Sequence, residues 1–155
     1  MRCGHVPVAE KSFLDRAAEY TYRELDRVGG DPTKLDIPLQ TVAILYTVQA
    51  IIDNGSFQYL FESDFPVNPP YSTFIDAYRR IGAIQAAERL EKAVTMFPFA
   101  DPHLDQQQRV KFMETIEEDD EFFELGDEVC GDKEVWAALE DYAQRNAAAF
   151  PISVN

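Results

Sequence analysis

Apolar residues recur along the chain at helical spacing, and one stretch is apolar on every face. Residues 41–52 are interrupted only by Thr41, Thr47 and Gln49. A helix that is apolar all round has no face suited to water, so it is expected to be buried. Even a helix of about 15 residues around this stretch falls short of the ~20 needed to cross a bilayer. The pattern therefore predicts a central helix inside a globular domain.

The central helix is predicted to end in a sharp corner. Asn54 and Gly55 follow it, and both residue types accept the left-handed backbone that ends many helices. Ser56 is placed to cap a second, short helix, which is rich in aromatic residues and extends to Glu62. The pattern predicts a buried helix, a corner, and a short aromatic helix that folds back onto the core.

The other segments are also predicted to be helical, because none shows the sustained alternation typical of a strand. Ser12 opens the first helix with a capping-box pattern, and Gly29-Gly30 ends it. Three prolines make residues 63–70 an extended loop. Asp132 is expected to cap the last helix, which Pro151 ends.

A long helix is predicted from Ser72 or Thr73, either of which would cap it, to Pro98. Gly82 falls in its middle, where glycine costs up to about 1 kcal/mol relative to Ala. Close approach by a neighbouring helix would explain such a residue. The predicted fold class is all-α: a single compact domain over residues 1–155, with about six helices around the central one. Residues 1–11 are expected to form a loose N-terminal segment.

The net charge of −14 is concentrated in one region of the chain. Residues 114–155 hold two basic and thirteen acidic side chains, a balance of −11, whereas the rest of the chain is nearly balanced. Such asymmetry indicates an interaction surface or a repelling tail. Direct nucleic-acid binding is not expected, because the acidic surface would repel phosphate and no basic stripe is present.

One helix from Gln106 to Leu125 is predicted to carry a wholly anionic outer face. At about 100° per residue, five glutamates fall within one third of its circumference. We define the acidic face as these five residues with two that extend them: Glu114, Glu117, Glu118, Glu121, Glu124, Asp127 and Glu128. The segment 114–128 contains no basic side chain that could pair with them. Their spacing of about one charge per 3–4 Å is close to the ~3.4 Å per phosphate along one DNA strand. The pattern fits both a docking surface for a basic protein and a merely solvated face.

Residues that could bind a metal or catalyse a reaction are few. Cys3 and His5 could ligate a metal, although an accidental pairing is the favoured interpretation. Asp101 and His103 fit a turn pair or a helix-start interaction better than a catalytic dyad, because no nucleophile pattern accompanies them. Gly-rich phosphate loops, Cys-X-X-Cys pairs and Glu-X-X-His pairs are absent. No cofactor, metal or enzymatic activity is expected.

The alternative function is a hydrolase or a small-molecule binder at the corner. Asn54, Gln58, Tyr59 and Glu62 could line a pocket there, although a helix end and core aromatics explain the same residues. Residues 1–7 lack the apolar run of a secretory signal, and two cysteines are too few for a disulfide framework. A soluble, cytoplasmic protein without membrane association is expected.

The corner also carries a family resemblance. Its motif residues Asn54, Gly55, Ser56 and Phe57 resemble the Asn-Gly-Gly-Phe signature of a bacterial family of mostly unknown function. Residues 78–83 resemble the Ile/Leu-Gly-Ala helix of the same family, and the similarity covers residues 40–100. Ser56 stands where the family usually has a second glycine, and Tyr59 stands where it often has glutamine.

The best-known members of this family are acidic DNA mimics, which bind DNA-binding proteins in place of DNA. The resemblance therefore implies a helical, non-catalytic, acidic interaction module whose partner is a basic DNA-binding protein. The acidic face is the surface on which such a partner would dock. The sequence identifies neither the partner nor the oligomeric state.

Overall fold

The computed structural model describes residues 11–152, which form seven α-helices and no strand. The helices are α1 (Phe13–Arg27), α2 (Ile37–Glu62), α3 (Tyr71–Arg80), α4 (Ile84–Thr95), α5 (Gln106–Thr115), α6 (Glu121–Val129) and α7 (Lys133–Arg145). Three short 3₁₀ turns lie at Pro32–Lys34, Pro102–Leu104 and Ala147–Ala149. The all-α prediction is confirmed, with seven helices where about six were expected. Cys3, His5 and most of the predicted loose segment 1–11 lie outside the described residues.

Helix α2 lies at the centre of the fold, as its apolar pattern predicts. It contacts α1, α3, α5, α6 and α7. Val42, Leu45 and Ile52 in its first part are completely buried, and so are Leu60 and Phe61 in its last turns. The other helices turn their apolar faces towards it because burial of those faces is what stabilises each of them. None of the helices in the described range is long and apolar enough to cross a membrane.

The predicted corner interrupts α2 at Gly55 and Ser56. Gly55 has φ −167° and ψ 24°, and Ser56 has φ 62° and ψ −159°, so neither residue is helical. The chain therefore forms two helical segments, residues 37–54 and 57–62, that meet at an angle. The second segment returns Phe57 and Phe61 to the core, as predicted, whereas Tyr59 is exposed.

The ends of α1 also agree with the sequence. The Ser12 hydroxyl accepts a hydrogen bond from the backbone N–H of Asp15 at 3.1 Å, and the Asp15 carboxylate accepts one from the Ser12 N–H at 3.2 Å. This reciprocal pair is the predicted capping box. Gly29 and Gly30 follow α1 with φ of 71° and 81°.

The prediction of one helix from residue 72 or 73 to Pro98 is wrong in two respects. Helix α3 begins at Tyr71 after Pro70, without a side-chain cap. It ends at Arg80, and Gly82 adopts φ +86° in the turn before α4. The N–H of Ala83 bonds the carbonyl of Tyr78 at 2.9 Å, the pattern of a left-handed glycine cap. A Cβ at Gly82 would meet no atom within 4 Å, so backbone conformation rather than a close approach explains this glycine.

Candidate interaction surface

The C-terminal acidic residues do not lie on one helix. Helix α5 ends at Thr115, Ile116 has an extended backbone (φ −104°, ψ 155°), and α6 begins at Glu121. The predicted continuous helix from Gln106 to Leu125 is therefore wrong, and its regular spacing of charges does not apply. Glu114 lies at the end of α5, Glu117 and Glu118 lie in the connection, and the other four residues of the acidic face lie on α6.

Electrostatics favour a break in the helix here. A continuous helix would place Glu114, Glu117, Glu118 and Glu121 three or four residues apart, where like charges repel by a few tenths of a kcal/mol per pair. Instead Asp120 caps α6, its carboxylate accepting a hydrogen bond from the N–H of Phe122 at 2.8 Å. Glu121 and Glu124 then occupy the first turn of α6. There a negative charge is favoured by the helix dipole.

All seven residues of the acidic face are exposed, but two of them have basic partners. Glu121 pairs with Lys92, and Glu128 pairs with the Arg89 Nε at 2.6 Å. Both cations come from α4, so these two carboxylates are paired although the acidic segment itself holds no basic side chain. Five residues form no ion pair within the range 11–152: Glu114, Glu117, Glu118, Glu124 and Asp127.

The acidic segment is anchored to the core through Phe122. Its side chain is completely buried, and its ring lies 5.5 Å from the rings of Phe61, Phe97 and Phe112. Aromatic pairs in this distance range add stability beyond the area that they bury. The residues on either side of Phe122 consequently have a defined position on the surface.

Helix α6 lies directly on the corner of α2. A Cβ added to Gly126 would come within 2.3 Å of the Ser56 Oγ and 2.7 Å of the Phe57 backbone nitrogen. No real side chain fits at such distances, so glycine is what allows α6 to approach this closely. Of the corner motif Asn54, Gly55, Ser56 and Phe57, the last two residues thus support the helix that carries most of the acidic face.

Ser56 does not cap the second segment of α2 as predicted. Its φ of 62° differs from that of a helix cap, and its buried Oγ forms no hydrogen bond. The combination of positive φ with ψ near 180° is one that essentially only glycine adopts without strain.

The corner also forms a depression of about 460 Å³ that is open to solvent. It is lined by Ile51, Asn54, Tyr59, Glu62 and Ser63. Three of the four polar residues predicted to line a pocket therefore lie together, although in a shallow depression rather than a deep pocket. Gln58 is exposed and does not line it. The Asn54 amide nitrogen donates to the Ala50 carbonyl at 2.8 Å, which closes the end of the first helical segment.

Two buried polar clusters were not found by sequence reasoning. In the first, Gln49 donates to the Asp53 carboxylate and the Val129 carbonyl, both at 2.9 Å, and accepts from the Tyr78 hydroxyl at 2.6 Å. Asp53 also accepts from the Trp136 Nε1 at 2.7 Å. Burial, reinforced by the charge of Asp53, raises the pKa of Tyr78, so its hydroxyl stays protonated and donates. This cluster joins α2 to α3, α6 and α7.

The second cluster surrounds Arg109, whose side chain is completely buried. Its guanidinium donates to the carbonyls of Phe61, Pro102 and Ser63 at 2.7–3.0 Å. It also pairs with the Asp64 carboxylate at 3.1 Å. The cation satisfies carbonyls at the end of α2, where the helix dipole favours positive charge. Arg109 therefore fixes α5 against α2.

Asp101 and His103 are the pair considered for catalysis. Asp101 directly precedes the 3₁₀ turn at Pro102–Leu104, and His103 lies within it. Asp101 has φ +51°, and the His103 ring lies 6.3 Å from the ring of Tyr71, edge to face. Within residues 11–152, no three His, Cys, Asp or Glu side chains are grouped so that they could hold a metal ion.

Comparison with known proteins gives one match. The family model described as DMP19-like protein matches residues 33–146, a range that includes α2 through α7, the corner motif and the whole acidic face. No curated protein and no solved structure matches the chain significantly. The match extends well beyond the residues that carry the resemblance in the sequence and covers more than half of the chain. The chain therefore belongs to the family of DMP19-like proteins.

Proposed function

We propose that this protein is a DNA mimic that binds a basic DNA-binding protein through its acidic face. The family to which the chain belongs is one of DNA mimics. The observation that carries the proposal for this chain is the set of five exposed carboxylates with no ion pair among residues 11–152. Lys and Arg side chains that normally contact phosphate would meet a comparable run of negative charge there.

The way in which the acidic face is held supports the proposal. Phe122 anchors the connection between α5 and α6, and Gly126 places α6 on the corner of α2. The ion pairs of Glu121 with Lys92 and of Glu128 with Arg89 join α6 to α4. A surface fixed in this way loses little conformational entropy on binding, which favours affinity. A cytoplasmic location, where DNA-binding proteins act, forms part of the proposal.

The proposal is tested by capture from a lysate of the native cell at low and at high salt. Charge reversal of Glu117, Glu118 and Glu124 to Lys should abolish the capture of DNA-binding proteins. These residues are chosen because none of them pairs with α4, so the reversal keeps both ion pairs between α6 and α4. The expected cost to α6 is the modest loss of the helix-dipole interaction at Glu124. A matched control reverses Asp26, Asp36 and Glu88, which are also exposed and also form no ion pair within residues 11–152.

The control variant changes the net charge by the same amount and should retain capture. The proposal would be contradicted if the variant with Glu117, Glu118 and Glu124 reversed still captured DNA-binding proteins. It would also be contradicted if the unmodified protein captured only proteins that bind no nucleic acid. Circular dichroism of both variants checks that the helical fold is unchanged.

A further inference from the structure

Tyr59 occupies an unusual position at the corner of α2. A Cβ added to Gly55 would lie 2.1 Å from the Tyr59 Cγ and 2.3 Å from both Cδ atoms. Near-equal distances to these three atoms place that point above the face of the ring, not at its edge. The ring of Tyr59 therefore lies with one face against the backbone of Gly55, a contact that any other residue at position 55 would obstruct.

The other face of the Tyr59 ring is turned towards solvent. Tyr59 is 42% exposed even though one ring face is covered, and it lines the depression described above. Tyr59 follows Phe57 by two residues, about 200° around the helix, so it lies on the side opposite to the contact with α6. The depression is thus separate from the acidic face.

The groups around this ring face accept hydrogen bonds and carry negative charge. Glu62 also lines the depression, three residues after Tyr59 and therefore on the same side of the helical segment. Its carboxylate forms no ion pair with any residue in the range 11–152. The Asn54 amide nitrogen is engaged by the Ala50 carbonyl, which leaves its oxygen as the group available to a ligand. The Ser63 hydroxyl donates to the Tyr59 carbonyl at 2.7 Å and closes one end.

We propose that this depression binds the guanidinium group of an arginine side chain presented by a protein partner. A guanidinium stacks on an aromatic face and offers a planar set of donors to a carboxylate. The open ring face of Tyr59 and the carboxylate of Glu62 supply these two contacts side by side. An ammonium group, which is a compact and strongly hydrated charge, gains less from such a flat site. The site requires no contribution from the acidic face.

The test is a ¹H–¹⁵N NMR titration with blocked tripeptides of the form Gly-X-Gly. The peptide with X = Arg should produce saturable shifts at Asn54, Tyr59 and Ser63. The peptide with X = citrulline, which is neutral but similar in shape, should produce none, and the peptide with X = Lys should produce smaller ones. Equal shifts with citrulline or with Lys would overturn the proposal, as would shifts that do not saturate.

Variants separate the two contacts. Tyr59→Leu should weaken the binding of the Arg peptide by about two- to fivefold, the range expected for an exposed cation–π contact. Glu62→Gln should weaken it by a similar factor, whereas Tyr59→Phe should leave it unchanged. Unchanged binding in both Tyr59→Leu and Glu62→Gln would overturn the proposal. Because Tyr59 and Glu62 are partly exposed, circular dichroism should show that all three variants fold.

The same titration distinguishes this site from the proposed function. The variant with Glu117, Glu118 and Glu124 reversed to Lys should retain the shifts at the corner, because it leaves Tyr59 and Glu62 untouched. Loss of the corner shifts in that variant would place the peptide on the acidic face and overturn the proposal. A failure of the DNA-mimic proposal would appear in the capture experiment and not in these shifts.

Discussion

Ser56 concentrates two unfavourable features in one residue. Its backbone has φ 62° and ψ −159°, a conformation that costs a side-chain-bearing residue on the order of 1–3 kcal/mol. Its hydroxyl is buried without a hydrogen-bond partner, which costs a further ~1–3 kcal/mol of desolvation. The surrounding packing of Phe57 and Gly126 maintains this conformation.

Ser56→Gly should therefore stabilise the protein, with a free energy of unfolding higher by about 1–2 kcal/mol. Urea denaturation followed by circular dichroism measures it. Ser56→Ala removes the hydroxyl but keeps the backbone strain, so it should gain less. Ser63→Gly is the matched control, because Ser63 has φ −83° and its hydroxyl is hydrogen-bonded, and it should not stabilise. An unchanged or lowered stability of Ser56→Gly would show that the corner is unstrained.

Among the basic residues that the structure describes, Arg109 is predicted to be the one whose replacement lowers the free energy of unfolding most. The Arg109 guanidinium serves three carbonyls and the Asp64 carboxylate from three separate nitrogens. An ammonium carries its three donors on one nitrogen and cannot reach all of these acceptors, so Arg109→Lys should leave buried acceptors unpaired and lower the free energy of unfolding by about 3 kcal/mol or more. Lys111→Met, at an exposed position on the same helix, should change it by less than about 0.5 kcal/mol. Comparable losses in the two variants, measured by urea denaturation, would contradict the structural role of Arg109.

Sequence reasoning could not find these buried polar residues because their partners are distant in the chain. Gln49 looks like an interruption in an apolar run, and its partners Tyr78 and Val129 lie 29 and 80 positions away. Arg109 lies in a polar segment and has partners 46 and 48 positions away. A local pattern shows whether a residue is surrounded by apolar neighbours, but it does not show which carbonyls its side chain will reach.

At the scale of the elements, the sequence predicted a helix or its end correctly where a local residue pattern directly determines the backbone conformation. The apolar run of α2 and the capping box of Ser12 appear in the structure as predicted. The corner lies at the predicted place, although the positive φ falls on Ser56 and not on Asn54 or Gly55. Two boundaries were missed because an amphipathic pattern can continue across a break. Gly82 adopts a left-handed conformation between α3 and α4, and Asp120 starts a new helix where the charge pattern suggested a continuous one.

The contact between α6 and the corner predicts that a substitution at Gly126 lowers the free energy of unfolding, where helix propensity alone would raise it. Gly126 lies within α6, and replacing a helical glycine by alanine normally stabilises by up to about 1 kcal/mol. Here the new Cβ would meet the Phe57 backbone at 2.7 Å, so Gly126→Ala should instead lower the free energy of unfolding by about 1–3 kcal/mol. Stabilisation of Gly126→Ala in thermal denaturation would mean that α6 does not lie on the corner.

At the scale of the whole molecule, the distribution of charge connects the fold to the proposed function. A continuous acidic helix would have matched one DNA strand by its regular spacing, whereas the structure presents its charges from the end of α5, the connection and α6. The unpaired carboxylates lie at the part of the chain that Phe122 and Gly126 fix to the core. The sequence showed where the charge is, but only the fold shows that α4 neutralises Glu121 and Glu128.

Attraction between this surface and a basic partner should weaken as salt rises, since the Debye length falls from about 10 Å at 0.1 M to about 3 Å at 1 M. The most direct measurement is a competition experiment with one DNA-binding protein recovered in the capture experiment. The acidic protein competes with labelled DNA for that partner, and the fluorescence anisotropy of the DNA reports how much of it stays bound. The protein should displace the DNA at low salt, and the variant with Glu117, Glu118 and Glu124 reversed to Lys should not. If the protein and the DNA bind that partner simultaneously, or if the reversed variant displaces the DNA equally well, the acidic face does not mimic DNA.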